Sequence, residues 1–381
     1  MFSGCGGMSS GFRAVNAVIP TFRLALAIDI DPVANQTYAA NLGVAPIAAD
    51  VARLAKDARY LHRILTTSRR RRGQPLVLIG CAPCQGFSSH RNAAGQHDPR
   101  NSLFVDFARI AARLQPDAVV VENVPELLTP PYWPLVRSVV QLLERSGYTV
   151  SVAVHNMAAF GVPQDRFRTI LVARHSPFDM PRPFLTRGEF KTVRDAIGAL
   201  PPIPAGGLDR SDPMHHSAAH RASTLATIRA VPKDGGSRPK DAGPECLRRA
   251  ALRQGRGAYD DVYGRLRWNR PAITVTHYAR NPASGRYVHP DQDRGLSVRE
   301  AALLQSFPAS YTFCGTFDER FRQVGNAVPP AFSSYLAAHL LGELVSSAPP
   351  SHPERGIREP LATSFSRLIP ALKTKGEAIL E

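Results

Sequence analysis

A run of eleven residues, GCAPCQGFSSH at 80–90, carries the residue types in this chain that are best suited to chemistry. It follows QPLVLI (74–79), a short apolar run that predicts a buried strand. Cys84 therefore lies just past the carboxyl end of a strand, where open α/β sheets place reactive groups. A second apolar run, AVVV (118–121), ends in the same way at Glu122. The two strand ends predict a thiol and a carboxylate that face one cleft.

The spacing of Cys81 and Cys84 leaves two other interpretations open. A C-x-x-C pair can form a dithiol redox centre, and a buried thiol can be chemically inert. A redox protein of this kind predicts a compact domain of roughly a hundred residues with no further acid–base groups. That interpretation leaves Glu122 and the arginines of the chain unexplained.

The chain between these groups predicts the sheet that must position them. Short apolar runs alternate with helical patterns over residues 1–175, which is typical of an α/β fold with a Rossmann-like, doubly wound, mostly parallel sheet. The intervening segments 101–114 and 134–147 carry apolar residues at helical spacing. The predicted strands are LALAI (24–28), API (45–47), PLVLI (75–79), AVVV (118–121), VSVAV (150–154) and TILVA (169–173).

A glycine-rich turn and two acidic residues predict a nucleoside site at the same edge. FSGCGGMSSGF (2–12) leads into a helix, and its glycines allow a ligand to approach the backbone closely. Asp29 and Asp50 each follow a predicted strand, so one can accept ribose hydroxyls and the other an adenine amino group. Taken singly, each acid is typical of a helix cap. Their placement beside the glycine turn favours the nucleoside interpretation.

Composition limits the class of protein and its partners. The 381 residues are 44% hydrophobic, which suits one large or two medium domains. No apolar run approaches the roughly 18 to 20 residues that span a bilayer, and the start has no signal region. Five cysteines without framework spacing favour the reducing cytoplasm. The net charge, 47 − 31 = +16, indicates a polyanionic partner such as nucleic acid, or only a basic proteome.

The charge is concentrated in a second, smaller, loop-rich domain. Residues 179–270 hold 17 Lys and Arg against 10 Asp and Glu, with frequent Pro and Gly and weak periodicity. We therefore divide the chain into a catalytic domain at 1–175, a basic second domain at 176–318, a return to the first domain at 319–345 and a flexible tail at 346–381.

Six motifs together resemble the DNA (cytosine-5-)-methyltransferase family. Any one of them is uninformative, but all six occur in the family's order over almost the whole chain. They are FSGCGG (2–7), the PCQ loop (83–85), ENV (122–124), QDRFR (164–168), LSVREAALLQSFP (296–308) and QVGNAVPP (323–330). The resemblance implies an S-adenosylmethionine domain in residues 1–175 and a target-recognition domain in the basic middle of the chain.

The resemblance also implies roles for single residues. Cys84 would add to carbon 6 of cytosine, Glu122 would hold or protonate ring nitrogen 3, and Arg168 with Arg166 would bind the base carbonyl. A water would remove the carbon 5 proton. S-adenosyl-L-methionine would be the cofactor, with Phe2 against the adenine, Asp29 on the ribose, Asp50 on the adenine amino group and Asn326 near the methionine end. The full expected cofactor set is Phe2, Gly4, Cys5, Gly6, Gly7, Asp29, Ile30, Asp50, Val51, Pro83 and Asn326, and no metal is expected.

Further expectations concern partners. The target atom is unreachable inside a duplex, so the cytosine must flip out of double-stranded DNA. The loop at 86–102, rich in small and polar residues, is expected to close over it as a lid. We expect a monomer in the cytoplasm, associated with the nucleoid and without membrane contact. A cognate restriction endonuclease is a further candidate partner.

One departure from the family pattern leaves alternatives open. The family has a strand and an acidic residue immediately before its glycine-rich start, and here Met1 directly precedes Phe2. We therefore expect the first strand of the sheet to be missing, either because the recorded start is misplaced or because the chain is a truncated, inactive DNA-binding relic. An RNA cytosine-5 methyltransferase is the other alternative, although the size of the basic domain favours DNA.

Overall fold

The computed structural model describes residues 1–68, 73–83, 101–254, 259, 261–346 and 356–361, with the backbone only at 251–254. These residues form two compact units. Unit 1 comprises Met1–Asn156, Phe167–Arg187 and Ser333–Glu381, and unit 2 comprises Met157–Arg166 and Gly188–Phe332. The functional assignment of the domains predicted from the sequence stays a prediction.

Helices and strands alternate along the first half of the chain, and helices dominate the second half. The strands are β1 (Val77–Gly80), β2 (Ala118–Asn123), β3 (Thr149–Asn156), β4 (Gln164–Asp165), β5 (Phe167–Arg174) and β6 (Ala272–Ile273). The helices are α1 (Gly7–Val15), α2 (Pro32–Leu42), α3 (Val51–Lys56), α4 (Ala58–Thr66), α5 (Ser102–Leu114), α6 (Trp133–Arg145), α7 (Val193–Ile197), α8 (Ala222–Arg229), α9 (Glu245–Gln254), α10 (Val298–Leu304), α11 (Phe317–Asn326) and α12 (Pro330–Val345).

Unit 1 is built on a mixed sheet, and the α/β fold class predicted from the sequence is confirmed. Within the described residues the sheet has four strands in the order β1-β2-β5-β3. β1 and β2 run parallel, whereas β5 is antiparallel to both of its neighbours, so β1, β2 and β3 share one direction. All six residues of β2 are buried, as expected for a central strand covered on both faces.

Apolar side chains of α5 and α6 cover one face of this sheet. Phe104 and Phe107 of α5 and Val139 of α6 pack against alternate residues of the strands, such as Val121 and Leu171. Gly80, at the end of β1, is required by this packing, because a Cβ atom there would lie 2.5 Å from the Phe107 ring. The close approach fixes the point at which the chain leaves β1.

Two of the predicted strands are wrong. Segments 24–28 and 45–47 share one isolated parallel bridge, Ile28 with Ile47, and form no longer ladder in the described residues. The amino-terminal segment contacts both Ile28 and β1: Ser3 N donates to Ile28 O at 3.1 Å, and the Met1 amino group donates to Ile79 O at 2.7 Å. A strand needs a regular series of hydrogen bonds to its neighbours, and the described residues give these two segments only isolated ones.

Segment 356–361 packs along the outer edge of β3 in unit 1. Ile357 N donates to Val152 O at 2.7 Å, and Leu361 N donates to Leu128 O at 3.0 Å. Ile357 and Leu361 also pack against the apolar cluster beneath the sheet. The segment therefore covers backbone groups of a strand edge that the four-stranded order leaves without a neighbour.

Unit 2 contains buried ion pairs and hydrogen bonds beside its apolar core. β4 and β6 form a short parallel pair. Arg294 donates to both carboxylate oxygens of Glu300 at 2.7 Å, and both side chains are buried. Glu300 also completes a capping box with Ser297 at the start of α10. No helix among the described residues is long and apolar enough to cross a membrane.

Candidate active site

Polar residues follow the carboxyl ends of two neighbouring parallel strands. Gly80, the last residue of β1, pairs with Val121 of β2, so the chain after Gly80 runs beside Glu122 and Asn123. The Asn123 side chain donates to Ala82 O at 3.2 Å and thereby ties the β1 loop to the end of β2. Sequence reasoning missed Asn123, although its place beside Glu122 in the ENV motif was a usable signal.

The predicted nucleophile continues this loop. Cys84 comes two residues after Ala82 and lies outside the described residues, as does most of the predicted lid at 86–102. The structure describes the loop up to Pro83, which is half-buried. The hydrogen bond from Asn123 and the packing of Gly80 therefore fix the described part of this loop, between Gly80 and Pro83.

Glu122 and Arg168 form an ion pair on one face of the sheet. Glu122 lies opposite Ile170 in the antiparallel β2–β5 ladder, so Arg168 is its diagonal neighbour on the same face. Arg168 Nε lies 3.0 Å from Glu122 Oε1, and both side chains are largely buried. One Arg168 Nη donates to the Phe167 carbonyl. The pair places a carboxylate and a guanidinium where a planar base with a ring nitrogen and a carbonyl can meet both.

Cys81 is poorly suited to redox or nucleophilic chemistry. Burial, with the Glu122 carboxylate as the next cause, raises the pKa of the Cys81 thiol well above its usual range. The thiol is therefore protonated at neutral pH, whereas attack on a disulfide or a carbon atom requires the thiolate. The burial and raised pKa of Cys81 count against the dithiol interpretation of the C-x-x-C spacing.

The glycine-rich turn is positioned by Asp29. Gly4 and Gly6 have φ values of +50° and +94°, which favour glycine, and α1 begins directly after Gly6. Gly4 N donates to Asp29 Oδ2 at 2.7 Å, while Asp31 N donates to Asp29 Oδ1 at 2.9 Å. Asp29 is therefore not the cap of the following helix. That role belongs to Asp31, which accepts from two amides of α2.

The other predicted cofactor residues of unit 1 differ in how far their side chains are exposed to solvent. Ile30 is 70% exposed, an unusual state for an isoleucine, and Asp50 is exposed while its carboxylate caps α3 through Ala52 N. Phe2 is half-buried. Cys5 and Val51 are buried, and burial raises the pKa of Cys5 to about 12. Gly4 faces open space where a Cβ atom would stand. The backbone at Gly4 and the side chains of Ile30 and Asp50 are therefore accessible to a ligand.

Ser333 was not predicted from the sequence and supports the glycine turn from a distant part of the chain. Its hydroxyl on α12 donates to Met8 O of α1 at 2.5 Å, and Ser333 is fully buried. The two residues are 325 positions apart in sequence, so no local pattern could have revealed the contact.

Arg166 and Asn326, the remaining predicted site residues, belong to unit 2. The buried Arg166 guanidinium donates to the carbonyls of Val275, Gly325 and Ala327 at 3.1 to 3.3 Å. These bonds hold the turn that presents the exposed Asn326. The structure thus gives Arg166 a structural role, and its predicted contact with the base stays a prediction. Among the described residues, no group of three His, Cys, Asp or Glu side chains is arranged to hold a metal ion.

Comparison with known proteins gives consistent matches. The model of the C-5 cytosine-specific DNA methylase family matches residues 1–342. The chain is 32% identical to the type II methylase M.HgiDII of Herpetosiphon aurantiacus over 342 residues, 88% of this chain and 92% of that protein. It is 34% identical to the type II methyltransferase M1.HphI of Haemophilus parahaemolyticus over 345 residues, 90% of this chain and 85% of that protein.

Solved structures show the same fold at lower sequence identity. A putative DNA modification methyltransferase encoded within a prophage of E. coli matches with a TM-score of 0.64 at 24% identity, covering 91% of this chain and 98% of that one. The Dnmt2 methyltransferase of S. pombe matches with a TM-score of 0.56 at 19% identity, again over 91% and 98% of the two chains.

Proposed function

The chain belongs to the C-5 cytosine-specific DNA methylase family and is a DNA cytosine-5 methyltransferase similar to type II enzymes, and from this premise we propose how its residues act. In our proposal a specific cytosine of double-stranded DNA flips out and is methylated at carbon 5 through a covalent adduct between Cys84 and carbon 6. The observation that carries the proposal is the Glu122–Arg168 pair beside the loop that leads to Cys84.

The residues around the glycine turn fit S-adenosyl-L-methionine. The backbone at Gly4 is open, the exposed Ile30 offers an apolar surface to an adenine ring, and the exposed Asp50 offers an acceptor to its amino group. Asp29, whose carboxylate still has lone pairs beyond those used by Gly4 and Asp31, is suited to the ribose hydroxyls. The cofactor, when bound, supplies an electrophilic methyl group.

Cys84 makes the cytosine ring reactive. Carbon 5 of cytosine is a poor nucleophile, and addition of the Cys84 thiolate to carbon 6 moves an electron pair towards carbon 5, which can then accept the methyl group. A thiolate suits this role because it is a strong nucleophile and a good leaving group. A water then removes the carbon 5 proton, and the bond between Cys84 and carbon 6 breaks as the ring double bond re-forms.

Glu122 and Arg168 stabilise the charge that this addition produces. As Cys84 adds, negative charge develops across ring nitrogen 3 and the base carbonyl. Glu122 holds a proton at nitrogen 3, and the Arg168 guanidinium donates to the carbonyl. The ion pair between the two side chains holds both groups beside each other before the base arrives. Preorganisation of this kind avoids the cost of ordering the groups during the reaction.

The surroundings of the reaction follow from the same proposal. The loop at 86–102 closes over the flipped base, and the basic residues between 176 and 318 read the DNA sequence. The enzyme acts as a monomer in the cytoplasm, on nucleoid DNA, and a cognate restriction endonuclease shares its recognition sequence.

Replacement of Cys84 tests the proposal directly. Cys84→Ser should abolish methyl transfer to DNA, because an unactivated hydroxyl is a far weaker nucleophile than a thiolate. It should also abolish covalent trapping of the protein on DNA that contains 5-fluorocytosine. Cys81→Ser is the matched control and should retain both activities, because Cys81 is held as the protonated thiol. Loss of both activities in Cys81→Ser would revive the dithiol interpretation.

A further inference from the structure

Helices α3 and α4 expose a strongly basic face that the proposed reaction does not use. Arg53 and Lys56 of α3 and Arg59 and Arg63 of α4 are all exposed. The opposite sides of the two helices are apolar, and Leu54, Leu61 and Ile64 are buried in a second core cluster of unit 1. We call the four exposed cations the α3–α4 basic face.

No acidic side chain neutralises this face within the described part of the chain. None of the four cations forms an ion pair with a described residue. The two nearby carboxylates in sequence, Asp50 and Asp57, cap α3 and α4 by accepting from Ala52 N and Tyr60 N, each at 2.9 Å. Both carboxylates are hydrogen-bonded to the backbone, and neither forms an ion pair with one of the four cations.

Repulsion between neighbouring cations destabilises the protein when nothing is bound, and an anionic partner would relieve it. Arg59 and Arg63 are four residues apart on one helix, where like charges destabilise the helix by a few tenths of a kcal/mol. The Tyr60 ring is flanked by two guanidinium groups, with the Arg53 Cζ at 4.3 Å and the Arg63 Cζ at 5.1 Å from its centroid. Cation–π contacts restrict both side chains. Restricted guanidiniums lose less conformational entropy when they bind an anion.

We infer that the α3–α4 basic face is a second DNA-contacting surface, which binds the phosphate backbone and is separate from the base pocket at Glu122. Guanidiniums match phosphate groups in paired hydrogen bonds, and a cluster of exposed cations, two of them restricted by the Tyr60 ring, suits a polyanion. A protein partner is disfavoured, because none of the large apolar side chains that are exposed in the described residues lies on α3 or α4 to act as an anchor. The inference requires DNA as the substrate but not the Cys84 chemistry.

The test is the salt dependence of binding to a duplex of about 40 base pairs and arbitrary sequence. In the full chain, R59Q/R63Q should weaken binding about tenfold at physiological salt and reduce the slope of log K against log salt by about 1.8, since each lost phosphate contact accounts for about 0.9. The matched control is R137Q/R145Q, which removes two exposed arginines of α6 from the same unit. The control should change affinity less than twofold.

Two further measurements separate a binding role from a folding defect. R59Q/R63Q should melt close to the wild-type temperature, because the lost Arg63–Tyr60 cation–π contact and the relieved repulsion between Arg59 and Arg63 act in opposite directions. K56Q/R59Q leaves the Arg63–Tyr60 contact intact and should lower the slope by the same amount. An unchanged slope in both variants, or an equal loss in R137Q/R145Q, would overturn the inference. Because binding is measured without methyl transfer, failure of the Cys84 mechanism would not produce either result.

Discussion

At the scale of single residues, the Glu122–Arg168 pair is the described feature on which catalysis should depend most. Glu122→Gln keeps the size of the side chain but removes the group that holds the proton at ring nitrogen 3. The rate constant kcat for methyl transfer should fall by about 10² to 10⁴, the usual contribution of a general acid, with a smaller change in KM for DNA. The measurement is steady-state methyl transfer to a DNA substrate.

A second ion pair on the same strand provides the control for Glu122. Arg174 of β5 and Glu343 lie 3.0 Å apart and are also largely buried. Glu343→Gln should therefore cost similar stability while leaving kcat unchanged. If the two variants lowered kcat equally, the effect of Glu122→Gln would reflect lost support for β5 and not catalysis.

The buried His289 should contribute strongly to the acid sensitivity of unit 2, beside smaller contributions from His220 and His277, whose pKa values are also lowered by burial. Burial lowers the pKa of His289 to about 4, and its Nδ1 accepts hydrogen bonds from Asp291 N and Gln292 N, which requires the unprotonated nitrogen. An unfolded histidine has a pKa of about 6.5, so between pH 6.5 and 4 the unfolded state binds the additional proton. The free energy of unfolding should therefore fall as the pH drops through this window, by up to about 3 kcal/mol.

Two variants check the origin of this pH dependence. In His289→Asn the free energy of unfolding, measured by denaturant titration between pH 6.5 and 5, should decline less steeply than in the wild type. His62→Gln changes an exposed histidine and should leave the slope unaltered. The same slope in wild type and His289→Asn would show that other groups bind the proton.

At the scale of elements, the sequence predicted those strands and helices whose pattern is local. The runs at 75–79, 118–121, 150–154 and 169–173 all lie within or overlap observed strands. The direction of β5 could not be predicted, because a strand buried on both faces has the same pattern in a parallel or an antiparallel ladder. The strand prediction for segments 24–28 and 45–47 was wrong because a segment forms a ladder only with suitable neighbouring strands, which local propensity does not encode.

The role of segment 356–361 also lay beyond local pattern, and it leads to a prediction about stability. Ending the chain at Ser346 should lower the free energy of unfolding of unit 1 by about 2 to 4 kcal/mol, because the Ile357 and Leu361 contacts and their backbone hydrogen bonds to β3 and Leu128 are lost. A chain that ends at Leu361 is the control and should unfold at the wild-type denaturant concentration. Equal stability of the two chains would mean that the segment contributes no net free energy.

The candidate site combines predictable and unpredictable features at the same scale. Glu122, Asp29 and Asp50 follow short apolar runs and could be recognised from them. The partners of Arg166 and the Ser333–Met8 contact join residues that are more than a hundred positions apart, and no periodicity encodes such pairs. The sequence therefore indicated which chemical groups are present. The residues that hold those groups in place could be identified only from the folded structure.

At the scale of the whole molecule, the net charge of +16 should dominate binding to DNA. Affinity for duplex DNA should fall steeply as salt rises, because phosphate contacts release bound counterions.

Within the basic stretch of unit 2, α9 carries Arg248 and Arg249, both exposed, and Arg249 contacts Glu245 at 2.5 Å. Since that contact already offsets part of the Arg249 charge, Arg248→Glu should weaken binding more than Arg249→Glu, across all sequences. Both are measured as log K against log salt on one duplex. A flat salt dependence of the wild-type protein would contradict phosphate contact as the main source of affinity, and a larger effect of Arg249→Glu would show that the Glu245 pair is broken in the complex.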